Sequence, residues 1–361
     1  MKKLIIICIS LFLWSSVTLA SDFAYRDNHI ENNALTSRAM SMGGAISAIL
    51  DNPDGLLLNP AAMIGIEKNR FSLKSESSML DVRRFSYMAI VPVDQRNIFS
   101  MAYAGIGVGN IRVFEADGND IVLRDVASYA EEGWFLGYAY KVDSQWSLGL
   151  TGKHYRNTLN VDQSLYYNGG AEGNDLDVGS VYRMNNSTSF AGGFKNLGSA
   201  IYNGGTLKWN NGYRESYDFG PYVGVSHYLL QDNSLLLAMD IRGSKLFKSI
   251  VSFGAEYKPH PMIAARLGYN SLYLFSLGLG FNTNDIVVDY AYVPDFASSV
   301  DNKHYISFSY SFDSLFADHR SYKQLETEAF DYGKARQLIE QQKKEITQMQ
   351  LLTKGGNNNE E

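Results

Sequence analysis

The side chains able to do chemistry are few and dispersed. Six histidines, His29, His154, His227, His260, His304 and His319, stand far apart. No His-Glu-x-x-His pair sets two imidazoles on one helix face for zinc. The Gly-x-Ser-x-Gly turn that would expose a serine nucleophile is absent. One histidine and one serine on neighbouring strands could still meet, so a lipid-modifying enzyme stays an alternative. The plainer reading of His154 and His227 is an interface or lumen role. Gly105-Ile106-Gly107-Val108-Gly109 resembles a phosphate loop only superficially. It ends an expected strand and opens no helix, so its glycines suit close packing or strand bending. Asp117-Gly118-Asn119-Asp120 begins as calcium loops do, but Ser128 stands where the closing glutamate belongs, which reads as a turn. The sequence gives no catalytic residue, metal ligand or cofactor to expect.

The elements that would position side chains are clearer. Between residues 72 and 312 one unit recurs: a short stretch alternating large apolar or aromatic residues with small or polar ones, then a turn. The last unit sets Ile306, Phe308, Tyr310 and Phe312 on one face and Tyr305, Ser307, Ser309 and Ser311 on the other. Successive strand side chains point to opposite faces, so the segment has one greasy and one wet side. About fourteen such strands can be marked, each near the length of a tilted membrane-crossing strand. They centre near Leu73, Tyr87, Met101, Tyr138, Leu150, Val178, Phe194, Val225, Leu237, Phe253, Leu267, Leu277, Val288 and Phe308. Short turns at 94–97, 143–145, 185–187 and 283–285 contrast with longer segments at 115–132, 157–174 and 197–218. That asymmetry is expected of a transmembrane barrel with short turns on the periplasmic side and long loops outside.

Residues 1–20 read as a signal peptide, with Lys2 and Lys3, an apolar run from Leu4 to Trp14, and Thr18-Leu19-Ala20 before Ser21. Its apolar run is shorter than the ~20 residues a spanning helix needs. Cys8, the one cysteine, lies inside it, so the mature chain has no thiol for disulfides, catalysis or thiolate metal sites. No later apolar run approaches a spanning helix, and a membrane protein without such helices must be a barrel. The precursor carries 32 basic and 38 acidic residues; without Lys2 and Lys3 the count is 30 against 38, or −8. A negative chain does not suit nucleic acid. The 24 tyrosines and 19 phenylalanines suit bilayer interfaces.

Residues 21–69 lack period-two alternation and read as a folded N-terminal plug, or else a surface-lying helix. They contain Arg38-Ala39-Met40-Ser41-Met42-Gly43-Gly44-Ala45, then Asp51-Asn52-Pro53-Asp54-Gly55 and Asn59-Pro60-Ala61-Ala62. Residues 70–312 form the expected barrel. Residues 313–361 form an expected periplasmic tail, whose stretch 321–352 carries a helical apolar stripe before a terminal Gly-Asn run. That stripe is either solvated or a partner helix. The final strand, 305–312, is similar to the recognition strand read by barrel-assembly machinery, although the chain continues past it.

The ordered set Arg38 to Ala45, Asp51-Asn52, Asn59-Pro60-Ala61-Ala62, Phe194-Lys195-Asn196-Leu197-Gly198, Arg266-Leu267-Gly268-Tyr269, Gly278-Leu279-Gly280-Phe281, Asp289 to Pro294 and His304 to Phe312 resembles the FadL-like outer-membrane transporter superfamily, more closely its PorV/PorQ type. The resemblance covers most of residues 35 to 312. It implies an all-β, fourteen-stranded barrel with an N-terminal plug, in which small hydrophobic molecules leave sideways through the wall. Gly43, Gly44, Asn59, Pro60 and Ala61 become plug or gating residues. Pro60 removes a backbone donor and Asn59 can bond its own backbone, as a non-repetitive block requires. By position alone, Lys68, Arg70, Arg83 and Arg84 are candidates to meet a ligand carboxylate, or else are solvated turn charges. The expected function is passive transport of a fatty-acid-like molecule across the outer membrane. The expected contacts are outer-membrane lipid, a hydrophobic ligand, and a periplasmic or secretion-system protein through residues 321–352. One alternative is a PorV-like non-transport factor that binds secreted proteins or a secretion machine; a soluble β-sandwich is the rival fold.

Overall fold

A computed structural model describes residues 30–77, 82–117, 120–161, 169–201, 207–215, 217, 219–230, 232–244, 248–283, 285–294 and 302–313. The expected signal peptide, His29, His319, the first residues of the plug and the helical tail lie outside them. The wall begins with β1 (Asn69–Ser77), β2 (Val82–Pro92), β3 (Asn97–Asp117), β4 (Asp120–Lys141), β5 (Trp146–Val161), β6 (Gly169–Arg183) and β7 (Thr188–Lys195). A two-strand ribbon, β8 (Leu207–Trp209) and β9 (Arg214–Glu215), hangs on β6. The wall resumes with β10 (Gly220–Tyr228), β11 (Leu235–Ser244), β12 (Lys248–His260), β13 (Ile263–Asn270), β14 (Leu274–Asn282), β15 (Ile286–Val293) and β16 (Lys303–Phe312). Neighbours are antiparallel, and β1 pairs with β16 from Asn69↔Phe312 to Ser77↔His304, which shuts a fourteen-stranded barrel. All fourteen expected strand centres lie on these wall strands.

The faces are inverted relative to a water-soluble protein. On β16, Tyr305, Ser307, Ser309 and Ser311 are buried inward while Ile306, Phe308 and Tyr310 are exposed outward. The same outward exposure holds for Leu136, Leu150, Leu267 and Leu279. A continuous apolar exterior around a closed sheet, with polar residues inside, is the surface of a transmembrane barrel. No described helix is long and apolar enough to cross a membrane.

Short turns share one end of the barrel. In three of them a first residue accepts backbone bonds two and three residues on: Asp94 from Arg96 and Asn97, Asp143 from Gln145 and Trp146, Asn185 from Ser187 and Thr188. The opposite end differs from the expected plain loops. Most of 115–132 and parts of 157–174 continue the strands, because Ile111 to Asp117 pairs with Asp120 to Ala127 and Asn157 to Leu159 pairs with Gly169 to Ala171. Gly105 to Gly109 likewise lies within β3 rather than at its end. Its glycines follow the outward phase, and the ring of Phe85 lies over Gly105, its register partner.

Residues 30–66 fill the lumen as four short helical pieces: α1 (Ile30–Ala34), α2 (Ser37–Ser41), α3 (Gly55–Leu58) and a 3₁₀ turn (Pro60–Gly65). The expected helical text from Arg38 to Ala45 is thus helical only to Ser41. Their apolar residues (Ile30, Leu35, Met42, Ile46, Leu56, Leu57 and Met63) are buried with inward Ile90, Ile98, Phe135 and Tyr155. The core of this molecule is therefore the plug and its seat.

Candidate functional site

The plug is fixed at specific wall positions. Gly43 has φ +66°, and a Cβ there would collide with the Tyr269 carbonyl on β13. Glycine alone fits both demands. Asn59 is fully buried; its Nδ2 donates to the Ser47 carbonyl at 2.8 Å and to the Ser180 carbonyl on β6 at 3.1 Å. Its Oδ1 accepts from Ala61 N at 3.2 Å and starts the 3₁₀ turn, with Pro60 at a position that needs no donor. Opposite these residues the wall carries Gly149 and Gly179, where any Cβ would overlap Ala61 N and Asn59 Oδ1.

Two buried charge clusters tie plug to wall. Glu31 on α1 meets Lys153 on β5 at 2.7 Å and Lys195 on β7 at 2.8 Å, and accepts a hydrogen bond from the Tyr155 hydroxyl. Asp177 on β6 closes the square, 2.6 Å from Lys153 and 3.1 Å from Lys195. Two carboxylates against two ammoniums leave no net charge, which burial at this depth demands. On the other side, Arg38 of α2 binds Glu256 on β12 through two 2.9 Å bonds. Arg266 on β13 joins Glu256 at 2.6 Å to Asp289 on β15 at 2.7 Å. Asp240 on β11 accepts from Ile46 N, Ser47 N and the Ser47 hydroxyl. Within the plug, Asp54 accepts from Thr36 N at 2.7 Å and the Thr36 hydroxyl at 2.5 Å. Burial outweighs these bonds and raises the Asp54 carboxyl to about 6.

The wall is interrupted beside the first cluster. On its β7 side, β6 pairs with β7 from Val178 to Arg183 and with β8 from Ala171 to Gly173, so residues 174–177 have no strand partner there among the described residues. β7 stops at Lys195, Asn196 turns the chain at φ +55°, and a short helix α4 (Leu197–Ile201) covers the opening. Inward aspartates replace the missing ladder: Asp177 accepts from Asn196 N at 2.8 Å, and Asp175 accepts from Gly198 N at 2.7 Å and the Ser199 hydroxyl at 2.8 Å. Asn196 Oδ1 also accepts from Lys153 at 2.8 Å. Plug, wall and cover therefore share one group of side chains. At the short-turn end, a crevice of about 290 Å³ separates Leu50, Asp51 and Gly65 from Arg183, Ser189 and Ser226.

The four cations nominated from position do not converge. Lys68 pairs with Asp285 at 2.8 Å and Arg70 bonds Ser311 and the Asp51 carbonyl, both at the short-turn end. Arg84 lies toward the other end, bonded to Glu76 at 2.7 Å, and Arg83 is exposed on the outer face. Lys153 and Lys195 do meet the plug, at Glu31. The signal for them was a charge on the wet phase of an otherwise alternating strand, as in Thr151, Lys153, Tyr155. Histidine partners are Asn174 for His154, Thr188 for His227 and Tyr290 for His304. No group of three or more metal-binding side chains occurs among the described residues.

The fold and its occupied lumen define a plugged transmembrane barrel. No protein-family model and no curated protein matches the sequence. Solved structures do match in fold. The toluene transporter TbuX of Ralstonia pickettii superposes with a TM-score of 0.57 at 14% identity, covering 78% of this chain and 99% of that one. The CymD monoaromatic hydrocarbon channel gives 0.54 at 13% identity, over 78% and 98%. A Pseudomonas aeruginosa FadL homologue gives 0.51 at 12% identity, over 77% and 98%. The chain has the fold of FadL-type channels.

Proposed function

We propose that the protein is an outer-membrane channel for passive uptake of small hydrophobic molecules. The observation that carries this reading is the β6–β7 interruption, covered among the described residues by α4 and coupled to the plug through Glu31, Lys153, Lys195 and Asp177. The hydrocarbon channels of the same fold support it. In this reading residues 1–20 are removed on export, 21–69 are the plug, and 70–312 span the membrane with the short turns periplasmic. Residues 313–361 extend into the periplasm. Gly43, Gly44, Asn59, Pro60 and Ala61 hold the plug closed. The test measures entry of a labelled long-chain fatty acid and of toluene into vesicles bearing the full-length protein. Asp175→Ala, which removes two anchors of α4, raises entry of the preferred probe. Unchanged, background-level entry of both probes with wild type and variant would refute the proposal.

A second reading, a non-transport factor of the PorV/PorQ type, draws support from the density of polar and apolar contacts that fill the lumen. A secreted protein that co-purifies with the detergent-extracted chain in place of an extractable acyl or aromatic ligand selects it.

A further inference from the structure

The apolar outer face ends in an aromatic row. Tyr87, Tyr103, Trp134 and His154 are successive register partners across β2, β3, β4 and β5. Ring centroids are 5.3 Å apart for Tyr103 and Trp134 and 5.5 Å for Trp134 and His154. Amphipathic rings of this kind sit at the edge of the hydrocarbon layer. Away from the short turns, the outward positions of β5 and β6 turn polar at once. Arg156 on β5 faces Glu172 on β6, and Glu172 faces Lys208 on β8, a cation, anion, cation row. The next row is Thr158, Gly170 and Asn210, whose N–H donates to the Gly170 carbonyl at 2.8 Å. Gly170 carries no side chain in the middle of that row, the Asn210 amide lies over it, and the row lines a hollow of about 640 Å³.

Charge in the hollow is unbalanced. Arg156 and Glu172 approach only to 3.9 Å with both side chains more than half exposed, a weak pair. Lys208 makes no ion pair among the described residues. The three charges leave +1, surrounded by amide and hydroxyl groups that suit a sugar. Directly below, on the membrane side of His154, the outward face forms an apolar furrow. Leu136 and Leu176 are the register partners of Gly152, with Leu150 and Val178 one row further on. Nothing but the Leu136 carbonyl lies within 4 Å of a Cβ placed on Gly152, so the furrow is open. A polar, cationic hollow stacked on an apolar furrow is the shape of an amphiphile.

We propose that this outer-wall site binds a phosphorylated sugar lipid of the surrounding leaflet, its phosphate toward Lys208 and Arg156 and an acyl chain over Gly152. The proposal rests on the membrane orientation above but not on transport. The experiment is native mass spectrometry of the full-length, detergent-purified protein with an acylated, bis-phosphorylated glucosamine disaccharide, with phosphatidylglycerol, and with water-soluble glucosamine 1-phosphate as competitor. The expected result is preferential retention of the glycolipid, resistant to the soluble competitor. Lys208→Glu weakens it about tenfold, as reversal of one interfacial charge does, and Gly152→Leu weakens it through the furrow. Equal retention by wild type and both variants, equal retention of phosphatidylglycerol, or displacement by glucosamine 1-phosphate would each overturn it. No glycolipid retention by the wild type, with probe entry intact, sinks this site alone, because Lys208 and Gly152 lie on the outward phase of their strands.

Discussion

Replacing Glu31 by Gln should loosen the plug more than any surface change. The carboxylate sits between Lys153 and Lys195 with the Tyr155 hydroxyl bonded to it, and both lysines are almost fully buried. Its neutral substitute leaves two ammoniums against Asp177 alone. Stranding a buried charge costs about 3–5 kcal/mol, and a lysine that deprotonates in response sets the upper limit. Spent on local opening, that energy speeds amide exchange in residues 30–66 on the order of 10² to several times 10³-fold. The assay is hydrogen exchange with mass spectrometry on the protein in detergent, read on plug peptides and, as control, on β14 and β15. The double variant Glu31→Gln with Lys195→Met restores neutrality and should recover most of the protection. A plug that exchanges within about threefold of wild type, worth less than 1 kcal/mol, would show that the four-charge square does not hold it.

Three further outcomes are expected. Asp54 has a folded value near 6 and an ordinary carboxyl value of 3.8 when exposed. A raised value means the folded plug binds the proton more tightly, so Asp54 contributes stability below pH 3.8 that is lost as pH rises through 6. Plug protection measured from pH 4 to 7 should fall in that window, and Asp54→Asn should flatten the wild-type slope. Gly43→Ala forces a left-handed alanine against the Tyr269 carbonyl and should lower the melting temperature by a cost of about 1–3 kcal/mol; an unchanged melting curve refutes that strain. Leu136→Arg on the outer face should impair folding into lipid vesicles by about 2–4 kcal/mol; for a water-soluble barrel the same change would be near neutral.

The wall was legible because its rule is local. Alternation such as Phe308, Ser309, Tyr310, Ser311 announces a strand and both of its faces with no knowledge of its partner. The plug obeyed no period, and its four short pieces exist because wall glycines and inward carboxylates receive them, which is long-range information. Asn59-Pro60-Ala61 stood out by composition, yet its counterpart Gly179 looked like any strand glycine. The nominated cations were chosen for closeness in sequence, whereas Lys153 and Lys195 meet Glu31 across separations of 122 residues and more. The β3–β4 extension was hidden by its charges, Glu115, Asp117 and Arg124, which pair with one another on the hairpin.

The pairing of β1 with β16 sets an order of events. Asn69 cannot meet Phe312, nor Ser37 N–H its acceptor Ser307 Oγ 270 residues away, until the last strand of the wall is in place. Contacts of such separation form last. A plug that docks before the seam closes is wrapped as β1 meets β16; one that docks afterwards has to enter through an end of the barrel. On the first route plug enclosure and seam closure are one step, and a slow seam leaves the greasy faces of both halves bare to water on the way.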